Sequence, residues 1–164
     1  MFSQTVEYAL RAVTYLSENC ESACTTEQIA KSTNVPQAYL AKVLQSLLRS
    51  GITQSQRGIK GGIRLARHAS ELTMLDVVQA VDPIKRIEHC PLPADSEVNG
   101  QPMRNHAHQT LCPLHQRLDD ALGAVEKIFR NTTLANLVEA SKAGNSLCHA
   151  SRAMNGHEKL HAAG

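Results

Sequence analysis

The sequence predicts a mainly α-helical fold with a small β-hairpin wing: a winged helix-turn-helix plus a long helix suited to dimerisation. Three observations predict it. Two short helical segments flank a tight turn, a glycine-rich hairpin follows them directly, and a long amphipathic helix lies further along the chain. The length of 164 residues and the hydrophobic content of 42% suit one folded domain with an appendage.

The first three predicted helices form the helix-turn-helix. Apolar residues recur every three or four positions over residues 3–18, which predicts the first helix. Thr25 and Gln28 have the spacing of a capping box and open a short second helix. Pro36 suits the start of a third helix, which Gly51 ends. Its inner face is predicted to be apolar: Leu40, Val43, Leu44, Leu47 and Leu48.

A hairpin is predicted after the third helix, because the apolar spacing changes there from helical to alternating. Ile52 precedes the turn and Ile63 and Leu65 follow it, while the turn itself contains three glycines. Arg57 and Lys60 lie at its tip. Glycines let the tip approach another backbone closely, and cations suit phosphates or a narrow minor groove. These features predict the wing.

The rest of the chain alternates between helical and irregular segments. Thr73 and Asp76 have the spacing of a capping box and predict a short helix. Prolines and an Asn-Gly pair predict that residues 88–112 form neither helix nor strand. Pro113 starts a long amphipathic helix, and a threonine caps a last one. We therefore expect four regions: a winged helix-turn-helix domain (1–83), a cysteine/histidine sensor loop (84–112), a dimerisation helix with its following helix (113–141), and a flexible tail (142–164).

The long helix carries an apolar face about four turns long outside the small domain, so this face needs a partner. A second copy of the chain in a twofold dimer provides one. Packing of the helix back onto its own domain is the alternative, because periodicity does not distinguish the two arrangements.

Charge is distributed unevenly along the chain. Between residues 31 and 67 there are seven cations and no acidic residue. Such a segment favours a polyanionic partner, and the low aromatic content argues against stacking of unpaired bases. The amino-terminal turn of the second helix of a helix-turn-helix enters the major groove. We therefore expect contacts to double-stranded DNA from this helix and the wing: Gln37, Ala38, Tyr39, Lys42, Arg57 and Lys60.

Several classes of protein are excluded. The longest apolar stretches fall short of a membrane span, and Glu7 and Arg11 interrupt the region of a signal peptide, so we expect a cytoplasmic protein without membrane contact. In that compartment the five cysteines are expected as thiols or ligands rather than disulfides. No nucleophile or phosphate-binding motif occurs, so no enzyme and no catalytic residue are expected.

A group of cysteine and histidine residues frames the irregular segment. Cys112 lies where a helix start favours a thiolate, and His115 follows three residues later, so both can bind one metal ion. Cys90 lies at the other end of the segment, and His106 and His108 lie within it. A metal or cluster that joins both ends would order this segment. Unconnected thiols and exposed histidines are the alternative interpretation.

Short motifs then recur in a specific order: Tyr8-Ala9-Leu10-Arg11, Val35-Pro36, Tyr39-Leu40, Arg57-Gly58, Gly61-Gly62, Leu65-Ala66, Asp76-Val77-Val78, Ala80-Val81-Asp82, Cys90 and Cys112. In this order the chain resembles the Rrf-type family of bacterial winged-helix repressors, which includes IscR-like and NsrR-like regulators. The resemblance implies a homodimeric transcription regulator, a repressor, that binds a partly palindromic operator. It also implies sensing of redox, iron–sulfur or nitrosative state.

The resemblance also implies a ligand set. Cys90 and Cys112 match the first and last family cysteines, His115 matches a family histidine, and Glu7 matches a position that supplies an oxygen ligand across the dimer. The middle family cysteine is missing and the loop is longer. A 2Fe–2S cluster on the two cysteines is favoured, completed from His115, His106, His108 or Glu7. Zinc on the same residues, a cluster-free sensor of thiol oxidation or small molecules, and a zinc-binding dimeric adaptor are the alternatives.

Overall fold

The computed structural model describes residues 2–19, 22–58, 61–90, 97–98, 101–102 and 111–143. Within them the chain forms six helices and two short antiparallel hairpins: α1 (Gln4–Glu18), α2 (Thr26–Thr33), α3 (Gln37–Arg49), β1 (Thr53–Gln56), β2 (Gly62–Leu65), α4 (Met74–Val81), β3 (Glu97–Val98), β4 (Gln101–Pro102), α5 (Pro113–Asn131) and α6 (Leu134–Lys142). This order confirms the predicted mainly α fold with a β-hairpin wing. None of the described helices is long and apolar enough to cross a membrane.

The chain divides into two compact units. The first combines Met1–Pro83 with Phe129–Gly164, and the second is Ile84–Ile128, each as far as it is described. In the first unit α1 contacts α2, α3, α4 and α6. Its core consists of buried apolar side chains from all five of these helices, among them Ala12, Val13, Leu16, Ile29, Leu40, Leu44, Leu47, Val77 and Leu134. The central position of α1 explains why its own apolar stripe is almost fully buried.

The predicted helix starts agree with the structure except at α3, where one predicted core residue also differs. Pro36 precedes this helix instead of forming its first residue, and its carbonyl accepts hydrogen bonds from the N–H groups of Tyr39 and Leu40. Leu48, which the sequence predicts on the inner face, is 46% exposed. The physical reason is rotation: each residue turns the helix by about 100°, so Leu47 takes the inward position and Leu48 turns outward.

Helix α6 completes the core of the first unit. The N–H of Leu134 donates to the carbonyl of Leu72 at 2.9 Å, and the N–H of Met74 donates to the carbonyl of Thr132 at 2.8 Å. Thr133 caps the helix in a capping box. The helix that the sequence groups with α5 therefore packs against α1 of the first unit. Residues 144–164, predicted as a flexible tail, lie outside the described residues.

The wing is fastened to the helical core by a third backbone segment. Strands β1 and β2 pair in a register that joins Thr53 to Leu65. Cys24, just before α2, forms an isolated bridge with Ile63: its N–H donates to the Ile63 carbonyl at 2.9 Å and its carbonyl accepts at 2.8 Å. Gly62 has no room for a side chain, because an added Cβ would lie 2.7 Å from the Cys24 carbonyl oxygen. Close backbone approach therefore explains this glycine.

Candidate nucleic-acid interface and metal centre

The turn between α2 and α3 presents the first turn of α3 at the surface. Asn34 ends α2 in the left-handed region, with φ at 54°, and its N–H donates to the carbonyl of Ala30. Val35 is buried and holds the turn against the core. The four residues of this helix that were predicted to contact DNA are all exposed: Gln37, Ala38, Tyr39 and Lys42.

The described cations between residues 31 and 67 are all exposed: Lys31, Lys42, Arg49, Arg57, Arg64 and Arg67. Every ion pair in the described part of the chain lies elsewhere, on Arg11, Arg86 and Arg117. The positive charge of this segment is therefore not neutralised by those pairs. Lys60, the other cation predicted at the wing tip, lies outside the described residues. Such a surface attracts phosphates.

The exposed face of α3 continues beyond the predicted contacts. With the wing it lines a cavity of about 440 Å³, whose walls include Ala41, Gln45 and Leu48. Gln45 is exposed, and its amide has the donor and acceptor that pair with adenine in the major groove. The sequence-based prediction stopped at Lys42, although the outward period of the helix already pointed to Gln45.

Three of the predicted ligands converge in the second unit. The Sγ atoms of Cys90 and Cys112 lie 3.8 Å apart. The Nδ1 atom of His115 lies 3.3 Å from Cys90 Sγ and 3.1 Å from Cys112 Sγ. All three residues are partly exposed. Two thiols and an imidazole are a donor set that suits thiophilic metals such as zinc and iron. We call these three residues the Cys/His triad.

Two members of the triad owe their position to the start of α5. Cys112 directly precedes the helix, and its carbonyl accepts from the N–H of Gln116 at 2.8 Å. His115 lies in the first turn of the same helix. Cys112 and His115, which are three positions apart in the sequence, are therefore neighbours at one helix end. The backbone N–H and side chain of His115 lower the pKa of the Cys112 thiol to about 7. The lowered pKa favours the thiolate form of Cys112.

Cys90 reaches the start of α5 because residues 84–89, which we call the connector, are tied to that helix. Arg86 forms ion pairs with Asp119 and Glu126. The N–H of Ile87 also donates to Oδ1 of Asp119 at 2.9 Å. These contacts align the connector with α5 and bring Cys90 to Cys112. We call the contacts of Arg86 with the two carboxylates the Arg86 clamp.

The Arg86 clamp was missed from the sequence, although α5 carried a signal for it. Asp119 and Glu126 lie two turns apart on one helix face, with Gly123 between them. A glycine inside an amphipathic helix often has a packing reason. Here an added Cβ at Gly123 would lie 3.1 Å from the Arg86 guanidinium, so the glycine makes room for the clamp.

Of the other three predicted ligands, only Glu7 lies among the described residues. Glu7 belongs to the first unit and pairs with Arg11 one turn further along α1. His106 and His108 lie outside the described residues. The role of these three residues as ligands stays a prediction.

Comparisons with known proteins extend these findings. The sequence profile of the Rrf2 family, described as iron-dependent transcriptional regulators, matches residues 2–140. A protein of Aquifex aeolicus, provisionally named an HTH-type transcriptional regulator, is 30% identical over 140 residues, which are 84% of this chain and 91% of that protein. The protein aau3 of Rhizobium meliloti is 30% identical over 138 residues, 84% of each chain.

Two solved structures share the fold. IscR of T. potens superposes with a TM-score of 0.70 at 16% identity, over 90% of this chain and 92% of that one. CymR, the global cysteine regulator of B. subtilis, superposes with a TM-score of 0.64 at 22% identity, over 85% and 96%. With the profile match over almost the whole described chain, these findings confirm the resemblance seen in the sequence. The chain belongs to the Rrf2 family of transcriptional regulators.

Proposed function

We propose that this protein is a homodimeric repressor that binds a partly palindromic operator in double-stranded DNA. The observation that carries the proposal is the surface of α3 and the wing, where exposed cations occur without a neighbouring carboxylate in the sequence. A helix and a hairpin that present unneutralised charge fit the major groove and the flanking phosphates of a duplex.

Each residue of this surface has a distinct role in the proposal. The Gln37 amide offers a donor and an acceptor to a base edge, and Ala38 packs on a thymine methyl group. Tyr39 is 60% exposed and its ring packs beside Tyr8 at a centroid distance of 6.3 Å, which steadies its hydroxyl for a phosphate. Lys42 reaches a phosphate or a guanine.

The wing supplies the minor-groove contacts. Arg57 is exposed at its tip, next to Gly58, whose φ of 114° permits the sharp turn. Lys60 takes the corresponding role in the proposal, as the sequence predicts. The bridge between Cys24 and Ile63 ties the wing to the same core that supports α3. Helix α3 and the wing therefore belong to one compact unit, which suits simultaneous contact with adjacent grooves.

Helix α5 supplies the proposed dimer contact. Leu114, Leu118 and Ile128 are 64%, 48% and 62% exposed. With Ala121 and Val125 they repeat at alternating spacings of four and three, which is the pattern of a coiled-coil seam. Exposed apolar side chains in that register favour a second copy of α5 as their partner.

The proposed sensing site is the Cys/His triad. It lies at the start of the helix that would carry the dimer contact. A chemical change at its thiols would therefore alter the geometry of α5 and the spacing of the two DNA-binding surfaces of the dimer. The family resemblance implies a 2Fe–2S cluster there, and redox, iron–sulfur or nitrosative state as the signal. A cluster-free response to thiol oxidation would use the same Cys90 and Cys112.

The DNA-binding part is tested by fluorescence anisotropy with fragments of the protein's own promoter region at several salt concentrations. We expect a steep fall of log affinity with log salt, and a slope reduced by about 1 for each phosphate contact removed by Lys42→Ala or Arg57→Ala. Lys142→Ala, an exposed lysine of α6, is the matched control. Affinity that does not depend on salt, or a salt slope that is equal in all three variants, would contradict the proposal.

The sensing part is tested with Cys90→Ser and Cys112→Ser, each compared with the unmodified protein under reducing and oxidising conditions. We expect operator affinity to depend on redox condition in the unmodified protein and to lose that dependence in both variants. A shift of about tenfold corresponds to about 1.4 kcal/mol. Circular dichroism establishes that the variants are folded. Unchanged dependence in both variants would show that the signal enters elsewhere.

A further inference from the structure

We propose that the Cys/His triad binds a single divalent metal ion, Zn²⁺, instead of one part of a two-iron cluster. The proposal rests on the proposed role of the triad as the sensing site and names the group that the site holds. It is drawn from the three distances among the donor atoms, which are 3.8, 3.3 and 3.1 Å.

These distances match the coordination sphere of one ion. Zinc binds cysteine sulfur at about 2.3 Å and histidine nitrogen at about 2.0–2.1 Å, so a tetrahedral site separates two sulfurs by about 3.8 Å and a sulfur from a nitrogen by about 3.6 Å. The two sulfurs of the triad already have the first separation. The imidazole needs to move by only a few tenths of an ångström, well within the freedom of a partly exposed side chain.

A single point is accessible to all three donors. The three separations leave room for a position roughly 2.2 Å from each of the three atoms, which is the length of a zinc–ligand bond. That position lies to one side of the plane through the donors. An ion there keeps its fourth tetrahedral position on the side away from the three described ligands.

A 2Fe–2S cluster does not match this arrangement. Its four protein ligands are divided two and two between the irons, because the bridging sulfides occupy the other positions of each iron. At most two of the three donors can therefore share an iron, and the third must lie further away, on the second iron. In this protein every pair of donors is within 3.8 Å. The three-way convergence disagrees with the cluster that the family resemblance implies.

The fold itself builds the three-ligand site. Cys112 and His115 are separated by one helical turn at the start of α5. Cys90 is delivered by a connector that the Arg86 clamp aligns along the same helix. A bound ion would join the end of this connector to the helix start, and its binding would stabilise the folded second unit by linkage.

The first experiment measures what the full chain binds. Protein is produced in cells, purified without chelators in the absence of oxygen, and assayed for zinc, iron and acid-labile sulfide. We expect one zinc ion per chain, without iron or sulfide. Two irons and two sulfides per chain, with the visible absorption of a cluster, would overturn the proposal.

The second experiment uses Co²⁺ as a spectroscopic probe of the reduced, metal-free chain. We expect saturation at one Co²⁺ per chain, with thiolate-to-cobalt charge transfer and the intense visible bands of tetrahedral cobalt, and complete displacement by one equivalent of Zn²⁺. Weak octahedral bands, or saturation at two ions per chain, would overturn the proposal.

Variants identify the ligands. Cys90→Ser, Cys112→Ser and His115→Ala should each lower Zn²⁺ affinity by more than roughly 100-fold, because even partners outside the ligand sphere contribute 10–100-fold. His68→Ala, an exposed histidine of the first unit, is the matched control. Affinity that is unchanged in any of the three ligand variants would contradict the proposal. Because the unmodified chain gives stoichiometry and spectrum, misfolding of a variant leaves the proposal testable.

Operator binding, measured on the same preparations, separates the two proposals. A zinc-loaded protein without specific operator binding would refute the proposed function and leave the metal assignment intact. Specific operator binding by a chain that binds no zinc, or that carries a cluster, would refute the metal assignment alone.

Discussion

The guanidinium of Arg86 binds the carboxylate of Asp119 through both of its oxygens. Nε donates to Oδ1 at 2.7 Å and a terminal nitrogen donates to Oδ2. This bidentate pair joins residues that are 33 positions apart and aligns the connector with α5. The aligned segment leads to Cys90, whose Sγ lies 3.8 Å from that of Cys112.

The Arg86 clamp predicts an unusually acidic carboxyl group. Hydrogen bonds from Arg86 and from the N–H of Ile87 lower the pKa of Asp119 to about 2. Because the pKa is lowered in the folded state, the stabilisation is fully present above the unfolded pKa of about 3.9 and is lost as pH falls towards 2. Carbon-13 NMR titration of the carboxyl group should give a midpoint near 2.

Arg86→Gln should raise the Asp119 midpoint towards its ordinary value. Arg117→Gln is the matched control, since Arg117 pairs with Asp120 on the same helix. An Asp119 midpoint that is equal in both variants would refute the assigned role of Arg86.

Replacement of the buried Thr53 by valine should stabilise the folded protein. Thr53 is 2% exposed, and its Oγ1 has no hydrogen-bond partner among the described residues. Since an unsatisfied buried hydroxyl costs about 1–3 kcal/mol, Thr53→Val should raise the free energy of unfolding by about 1 kcal/mol. Urea denaturation measures it. Thr53→Ser keeps the hydroxyl and loses a methyl group, so it should lower stability; a stability loss in the valine variant would contradict the account.

Replacement of Gly62 by alanine should detach the wing from the backbone of Cys24. In Gly62→Ala the new Cβ would collide with the backbone of Cys24 and separate it from Ile63. Overpacking of this kind costs about 1–3 kcal/mol. Hydrogen exchange should show loss of protection at the Ile63 N–H, and operator affinity should fall with it. Gln56→Ala, the exposed register partner of Gly62, should leave both unchanged. Normal protection in Gly62→Ala would argue against the close contact.

If α5 forms the proposed dimer contact, a charge introduced on its exposed apolar face should dissociate the dimer. Leu118→Lys places an ammonium group in the middle of the exposed apolar seam, where a paired helix would desolvate it. Sedimentation velocity should show a shift from dimer to monomer. Gln116→Lys adds the same charge to an exposed position off the seam and should leave the dimer intact. Dimers of equal stability in the two variants would exclude α5 as the interface.

Local elements of this protein were predictable because their signals lie within a few residues. The capping boxes at Thr25 and Thr73, the turn before α3 and the hairpin with its glycine tip all depend on neighbouring residues. Leu48 was predicted less well: it lies one residue, or about 100° of helical rotation, from the buried Leu47, and it is exposed. The types and spacing of Cys112 and His115 also predicted two ligands for one metal ion, with Cys90 as a further candidate.

The sequence by itself therefore determined the winged helix-turn-helix, its unopposed positive segment and the donor types of the triad. Only the tertiary structure decided which distant residues meet: Cys24 with Ile63, α6 with α1, and Arg86 with Asp119. It also brought the three donor atoms within 3.8 Å of one another. The physical reason is that side-chain periodicity reports which face of an element is apolar, whereas the partner of that face depends on contacts between segments far apart in the chain.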